Sequence, residues 1–151
     1  MPALFVIMLL AALVLPSRYA SASSPIDISA EDLQTLHTQA IQGNAEAQVS
    51  IGRLYVSGHG VPQDYGKARE WYEQAAPQGD AWAQVNLGLL YASGQGVPQD
   101  DVRTYMWYNL AAPHLTDDEQ KLVAENRDTV ARRMIPEQIA DAKKRAREWR
   151  R

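Results

Sequence analysis

The side chains that most often carry chemistry are few in this chain and do not come together along it. The three histidines, His37, His59 and His114, fall at unrelated positions, with no second metal ligand at helical or loop spacing. The chain has no cysteine, which excludes a thiolate metal site, a cysteine nucleophile and a disulfide framework. The carboxylates are scattered, so no acid/base pair stands out. We therefore expect no catalytic residue, no bound metal ion and no cofactor.

Two Gly-x-Gly runs are the remaining candidates for a chemical site. Gly58-His59-Gly60 and Gly94-Gln95-Gly96 have the composition of a phosphate loop. Each follows a helical pattern rather than a strand, and neither is followed by the Lys-Ser/Thr pair of a nucleotide-binding loop. They are interpreted as turns, and the fact that they recur is more informative than their composition.

An internal repeat organises the middle of the chain. Residues 43–77 and 79–113 align at an offset of 36, with 20 of 35 positions identical. A period of this length is typical of helical solenoids. The identical pairs include Gly52/Gly88, Leu54/Leu90, Tyr55/Tyr91, Asp64/Asp100, Trp71/Trp107 and Tyr72/Tyr108.

Each repeat reads as two helices. Apolar residues at helical spacing predict a first helix, helix A, over residues 45–57, with Gly58 as its left-handed cap. Asp64 is placed to cap helix B, which should end near Ala76 because Pro77 follows. Gly52 and Gly88 lie mid-helix, where we expect close approach to the tryptophan of the neighbouring helix. Trp71 and Trp107 are accordingly predicted to be equivalent and buried.

The repeated pattern A-x-A-Q-x-x-[IL]-G-x-L-Y-x-S-G-x-G-V-P-Q-D, followed by W-Y-x-x-A-A, resembles the Sel-1-like repeat, a relative of the tetratricopeptide repeat. The resemblance implies an all-α fold, a right-handed α-α superhelix with capping helices at both ends. Ser29 with Asp32 predicts a helix over residues 30–42, and Thr116 with Glu119 predicts one over 117–134. The predicted segments are a signal peptide at 1–22, an N-terminal capping helix at 23–42, repeat 1 at 43–78, repeat 2 at 79–114, and C-terminal capping helices with a basic tail at 115–151.

The first residues are typical of an export signal. An apolar run from Leu4 to Leu15 precedes Ala20-Ser21-Ala22, which matches a signal-peptidase cleavage pattern. We place the cleavage after Ala22, and retention of the segment as an anchor is the alternative. The expected location is periplasmic or secreted, without lipid attachment and without stable membrane insertion after cleavage.

The charge distribution bears on the partner. The formal net charge is −3, and no basic patch interleaved with aromatic residues runs through the body, so nucleic acid is not an expected partner. The tail from Lys143 to Arg151 carries six positive residues and one negative. It can complement the dipole of its own helix, fold back on the acidic body or make a weak contact with an anionic surface.

The resemblance also implies a binding surface, the inner wall of the superhelix, formed by residues of helix A. Trp82, Val85 and Leu89 form an i, i+3, i+7 stripe suited to a partner peptide or helix. The competing interpretation is that helix 117–134 folds over this stripe. The predicted partner-binding residues are Glu46, Val49, Arg53 and Val56 in repeat 1 and Trp82, Val85 and Leu89 in repeat 2.

Two functions are compatible with these observations. The favoured function is a non-catalytic protein-protein interaction adaptor or regulator of the bacterial cell envelope. The alternative is an envelope hydrolase, or a β-lactam-related enzyme with a site between repeats. Members of the resembled family that are assigned β-lactam-related activity are rich in cysteine, unlike this chain.

Overall fold

The computed structural model describes residues 28–150, and over that range the chain forms seven α-helices and no strand. Two single 3-10 turns, Ala76–Gln78 and Ala112–His114, follow the third and fifth helices at the repeated prolines. The predicted all-α repeat fold is confirmed, whereas the predicted signal peptide, residues 1–22, lies outside the described residues. The helices are α1 (Ala30–Ile41), α2 (Ala45–Ser57), α3 (Tyr65–Ala75), α4 (Ala81–Ser93), α5 (Asp101–Ala111), α6 (Asp117–Ala131) and α7 (Pro136–Trp149).

Local capping fixes the helix boundaries of each repeat. Asn44 accepts a hydrogen bond from the N–H of Ala47 at 2.8 Å, and α2 ends at Gly58 with φ 73°. Glycine adopts this left-handed conformation without the steric cost of a Cβ. Asp64 then accepts from the N–H of Lys67 at 3.0 Å and begins α3. The same caps recur in α4 and α5, so both repeats have the predicted helix A and helix B.

The mid-helix glycines allow the two helices of a repeat to approach closely. A Cβ on Gly88 would lie 2.6 Å from the ring of Tyr108, and one on Gly52 would overlap the ring of Tyr72. The prediction that tryptophan fills this space was therefore wrong. The tryptophan and the tyrosine are consecutive residues of helix B, so their side chains point in different directions. The tyrosine, rather than the tryptophan, faces the glycine.

The paired tryptophans are not equally buried. Trp107 is 6% exposed and contacts Trp149 of α7 edge to face, with ring centroids 5.0 Å apart. Trp71 is half-buried and meets the ring of His37 at 5.7 Å. The prediction of equivalent burial thus fits Trp107 only, because α7 covers one tryptophan and the smaller α1 partly covers the other.

The capping helices close the stack in different ways. At the first end, Ser29 caps α1 by accepting from the N–H of Asp32 at 3.0 Å, and α1 packs on α2. At the other end both α6 and α7 pack on α5. The predicted helix 117–134 ends earlier, at Ala131. Ala142 and Ala146 are fully buried in α7, which lets this helix approach the main core closely.

Candidate protein-interaction surface

The seven residues predicted to line the partner-binding wall differ widely in accessibility. Val49 and Val85 are only 5% and 1% exposed, so they are core residues in this structure and do not offer a contact surface. This corrects their assignment as binding residues. Glu46 is exposed, and the remaining four are half-buried: Arg53, Val56, Trp82 and Leu89.

The wall of repeat 2 is partly covered by α6. Val85 belongs to a buried cluster with Tyr108, Leu115 and Val123, and Leu89 packs against the same cluster. Val123 lies on α6, within the segment 117–134 that the competing interpretation placed over this stripe. The competing interpretation is therefore correct for Val85 and Leu89, which pack in the cluster that contains Val123. The repeat pattern could not predict this packing, because α6 has no counterpart in either repeat.

The wall of repeat 1 carries the guanidinium group of Arg53, which lies near the ring of Tyr72 and the carboxyl group of Asp80. Arg53 is half-buried, and burial lowers the pKa of its guanidinium, while the charges of Tyr72 and Asp80 raise it. Among the residues that the structure describes, Arg53 forms no ion pair within 4.0 Å. It therefore presents a cation that is partly removed from water and available to a partner group.

Asp80 is a member of this group that sequence reasoning missed. It is the N-cap of α4 and accepts from the N–H of Ala83 at 2.8 Å. Burial raises the pKa of its carboxyl group and so does nearby Glu46, while the hydrogen bonds from Ala83 and Trp82 and the charge of Arg53 lower it. The capping pattern that it shares with Asn44 was the signal that could have identified it. The surface formed by Glu46 and Arg53 of repeat 1 together with Asp80 and Trp82, which lie at the start of repeat 2, is called the repeat-1 wall from here on.

A second concave feature lies between α1 and α2. It is an open, mainly apolar groove of about 290 Å³. We call it the N-terminal groove, and it is lined by Ala30, Leu33, Gln34, His37, Ile51, Leu54, Tyr55 and Val61. The sequence predicted both helices but not that a space would remain between them.

The basic tail forms the exposed side of α7. Arg145 pairs with Asp141 at 2.8 Å, and this carboxylate raises the pKa of Arg145. Arg150 donates to the carbonyl oxygen of Asn109 at 2.9 Å. Lys143 and Arg147 point outward and are exposed. The tail thus contacts α5 through Trp149 and Arg150 and keeps several cations in solvent.

The described part of the chain shows an arrangement suited to recognition. Within residues 28–150, no group of three or more His, Asp and Glu side chains is placed to hold a metal ion. None of the described helices combines the length and the apolar character that a membrane crossing requires. The repeat-1 wall offers charged groups and an aromatic face, which bind through hydrogen bonds and apolar contact.

Comparison with known proteins identifies the repeat. A family model described as the Sel1 repeat matches residues 45–80 and 83–112. The solved structure of a protective antigen of uropathogenic Escherichia coli strains, which displays an SLR fold, aligns with a TM-score of 0.75 and 27% identity over 95% of this chain and 29% of that one. A Sel1 repeat protein from Oxalobacter formigenes aligns with a TM-score of 0.54 and 37% identity over 74% of this chain and 40% of that one.

This chain spans less than half the length of either solved relative. The search of curated proteins finds no match. Sel1 repeat proteins are generally scaffolds for protein interaction and typically non-catalytic. The matched repeats, the repeated caps and the two structural relatives agree with one another, and the chain is a Sel1-like repeat protein.

Proposed function

We propose that this chain is a non-catalytic adaptor or regulator of the bacterial cell envelope that binds a peptide or helix of a protein partner. The observation that carries the proposal is the contrast between buried and accessible positions of the two repeats. The buried scaffold pairs agree, as in Gly52/Gly88 and Tyr72/Tyr108. The accessible wall positions differ, with Glu46 opposite Trp82 in the alignment, and such positions are free to serve a ligand.

The repeat-1 wall is the proposed contact surface. Trp82 is half-buried and packs against both the main core and the cluster around Val85, so its position is fixed before a partner arrives. Aromatic and arginine side chains held in this way dominate many protein interfaces. Arg53 and Glu46, which both act electrostatically on Asp80 at the start of the same helix, favour a partner segment that offers an apolar side chain flanked by groups of both charges.

The binding proposal is tested with three variants of one bait. The bait is used to capture a partner from envelope extract, and the affinity of the purified partner is then measured. Glu46→Arg should weaken binding without loss of stability, because Glu46 is exposed. Trp82→Ala should weaken binding by up to about 3 kcal/mol, as aromatic anchors do, and should also lower stability. Glu70→Arg makes the same charge change on exposed α3 and is the control.

The outcome that contradicts the proposal is specific. If Glu46→Arg and Trp82→Ala both remain folded and bind the captured partner as tightly as the unmodified protein, the repeat-1 wall is not the contact surface. A loss of affinity in Glu70→Arg alone would assign binding to the helix-B side of the stack.

The envelope location is proposed from the N-terminal sequence alone. The apolar run from Leu4 to Leu15 and the Ala20-Ser21-Ala22 pattern support export and cleavage after Ala22. Mass spectrometry of the protein recovered from fractionated cells decides it. A mature N-terminus at Ser23 outside the cytoplasm is expected, and an intact N-terminus in the cytosolic fraction would contradict the proposal.

A further inference from the structure

The two ends of the described stack carry opposite charge. Residues 28–67, which include every residue lining the N-terminal groove and Lys67 over the ring of Tyr55, contain four acidic and two basic residues, a net charge of 2 − 4 = −2. Residues 132–150 contain seven lysines and arginines and three acidic residues, a net charge of 7 − 3 = +4. We call the second region the basic end. Opposite charge at the two ends of one molecule favours contact between the first end of one copy and the last end of another.

The basic end keeps cations available for such a contact. Its acids Asp141 and Glu148 are used within α7, by Arg145 at 2.8 Å and Lys144 at 3.9 Å. Lys143 and Arg147 are exposed and, among residues 28–150, form no ion pair within 4.0 Å.

An apolar side chain accompanies these cations. Trp149 lies between Arg147 and Arg150 in the sequence and is 46% exposed although one edge contacts Trp107. The basic end therefore combines a large apolar side chain with flanking positive charge, and its complement would be an apolar recess with negative charge beside it.

The N-terminal groove is such a recess, and repeat 2 shows what a covered version looks like. Leu90, Tyr91 and Val97 are 3%, 7% and 8% exposed and belong to the main core, and the preceding helix α3 packs on α4 here, with Tyr65 against Gly96. The corresponding residues of repeat 1, Leu54, Tyr55 and Val61, are half-buried and line the groove. The first turn of α1, which forms one wall, carries Glu31 and Asp32.

We propose that the basic end of a second copy of this chain occupies the N-terminal groove, so that copies associate head to tail. Trp149 of one copy meets the apolar lining of the other, and its cations lie against Glu31 and Asp32. The two surfaces differ, so the contact is heterologous and leaves one groove and one basic end free. Association of this kind continues beyond a dimer as concentration rises.

Sedimentation velocity of the chain as recovered from cells tests the proposal first. At about 0.01 M salt, where charges act over about 30 Å, the average mass should rise steadily with concentration. At about 1 M salt the screening length falls to about 3 Å, and the same samples should dissociate. A single species with the mass of one chain at every concentration in low salt would overturn the proposal.

Charge-reversal variants then identify the surfaces. Glu31→Lys and Arg147→Glu should each weaken self-association about tenfold, because like charges then face each other. A mixture of the two variants should associate as the unmodified protein does, since each supplies the surface that complements the other. Glu125→Lys, an exposed acid on α6, is the matched control and should associate normally.

The alternatives give different results. Association that neither variant weakens, or that the mixture fails to restore, places the contact elsewhere and overturns the proposal. Trp82→Ala should leave self-association unchanged, which separates this contact from the proposed partner surface on the repeat-1 wall.

Discussion

Repeat 1 and repeat 2 share most of their sequence but differ in how much of it is covered. In repeat 2, Leu90 and Tyr91 are buried, and Val85 lies under α6. In repeat 1, the corresponding Leu54 and Tyr55 stay half-buried beside an open groove. The difference comes from the neighbours rather than from the repeats, because α6 and α7 pack on helix B of repeat 2, α5, whereas helix B of repeat 1, α3, packs mainly on α2 and α4. Accessible surface for a partner consequently lies at the N-terminal groove and at the junction of the two repeats, around Arg53 and Trp82.

The largest effect expected from this difference is at the paired tryptophans. Trp107→Ala removes a side chain that is 6% exposed and should lower the free energy of unfolding by about 3–5 kcal/mol. Trp71→Ala should cost clearly less, because Trp71 is half-buried. Urea denaturation of the two variants measures both values. Equal losses would show that the C-terminal helices contribute no extra packing to repeat 2.

The glycine contacts should respond alike in both repeats. Gly52→Ala and Gly88→Ala each force a methyl group against a tyrosine ring that is 1% or 2% exposed and cannot move into solvent. Overpacking of this kind costs about 1–3 kcal/mol, against a gain of about 1 kcal/mol from helix propensity. Both variants should therefore have lower melting temperatures. Ser50→Ala, in the same helix as Gly52, is the control, and stabilisation by either glycine variant would contradict the close packing.

Alkaline pH should weaken both repeats through the same tyrosines. Burial raises the pKa of Tyr72 and Tyr108, so the folded protein holds both phenol protons more tightly than the unfolded chain does. The tyrosines of the unfolded chain ionise at about pH 10. Their contribution to stability is present below that pH and is lost as pH rises above it, by about 1.4 kcal/mol per pH unit for each group. Titration of unfolding free energy in Tyr72→Phe and Tyr108→Phe should show a shallower alkaline decline. An unchanged slope in both would show that neither phenol is the source.

Paired glutamines provide the smallest and finest comparison. Gln48 donates to the carbonyl oxygen of Ala40 at 3.0 Å, and its own amide oxygen accepts from Gln78 at 2.9 Å. Gln84 donates to Ala76 at 3.3 Å, but its buried amide oxygen has no partner among the described residues.

Substitution by methionine, of similar size, should therefore separate the two. Gln48→Met removes two hydrogen bonds and should cost about 0.5–1.5 kcal/mol for each, whereas Gln84→Met removes one and also an unpaired polar atom. Chemical denaturation should rank Gln48→Met as the less stable variant. The reverse ranking would indicate that the oxygen of Gln84 has a partner in solution.

The sequence predicted the parts of the fold that depend on neighbouring residues. Caps such as Gly58 and Asp64 act within one helical turn, and the offset of 36 transferred them from one repeat to the next. The bounds of α2 to α5 followed from these signals. The aromatic residue facing each glycine did not, because Trp71 and Tyr72 are adjacent and both fit the helical period.

Features of the surface that depend on contacts between distant segments were not predictable. The burial of Val85 arises from Val123, which lies on a helix without a counterpart in the repeats. The charged group around Arg53 requires Asp80, whose visible signal was only that of a helix cap. Periodicity identifies which residues share a helix face, but it does not indicate how closely the next helix covers that face.

The position of α5 has a consequence for the way the molecule opens. This helix is contacted by α4, α6 and α7, whereas α1 packs mainly on α2. Opening α1 breaks few contacts, while exposing the amides of α5 requires three neighbouring helices to separate. Native-state hydrogen exchange should therefore be fast in α1 and slowest in α5, where it approaches the rate set by global unfolding. The molecule should therefore begin to unfold at α1 and keep a residual folded unit around residues 101–111.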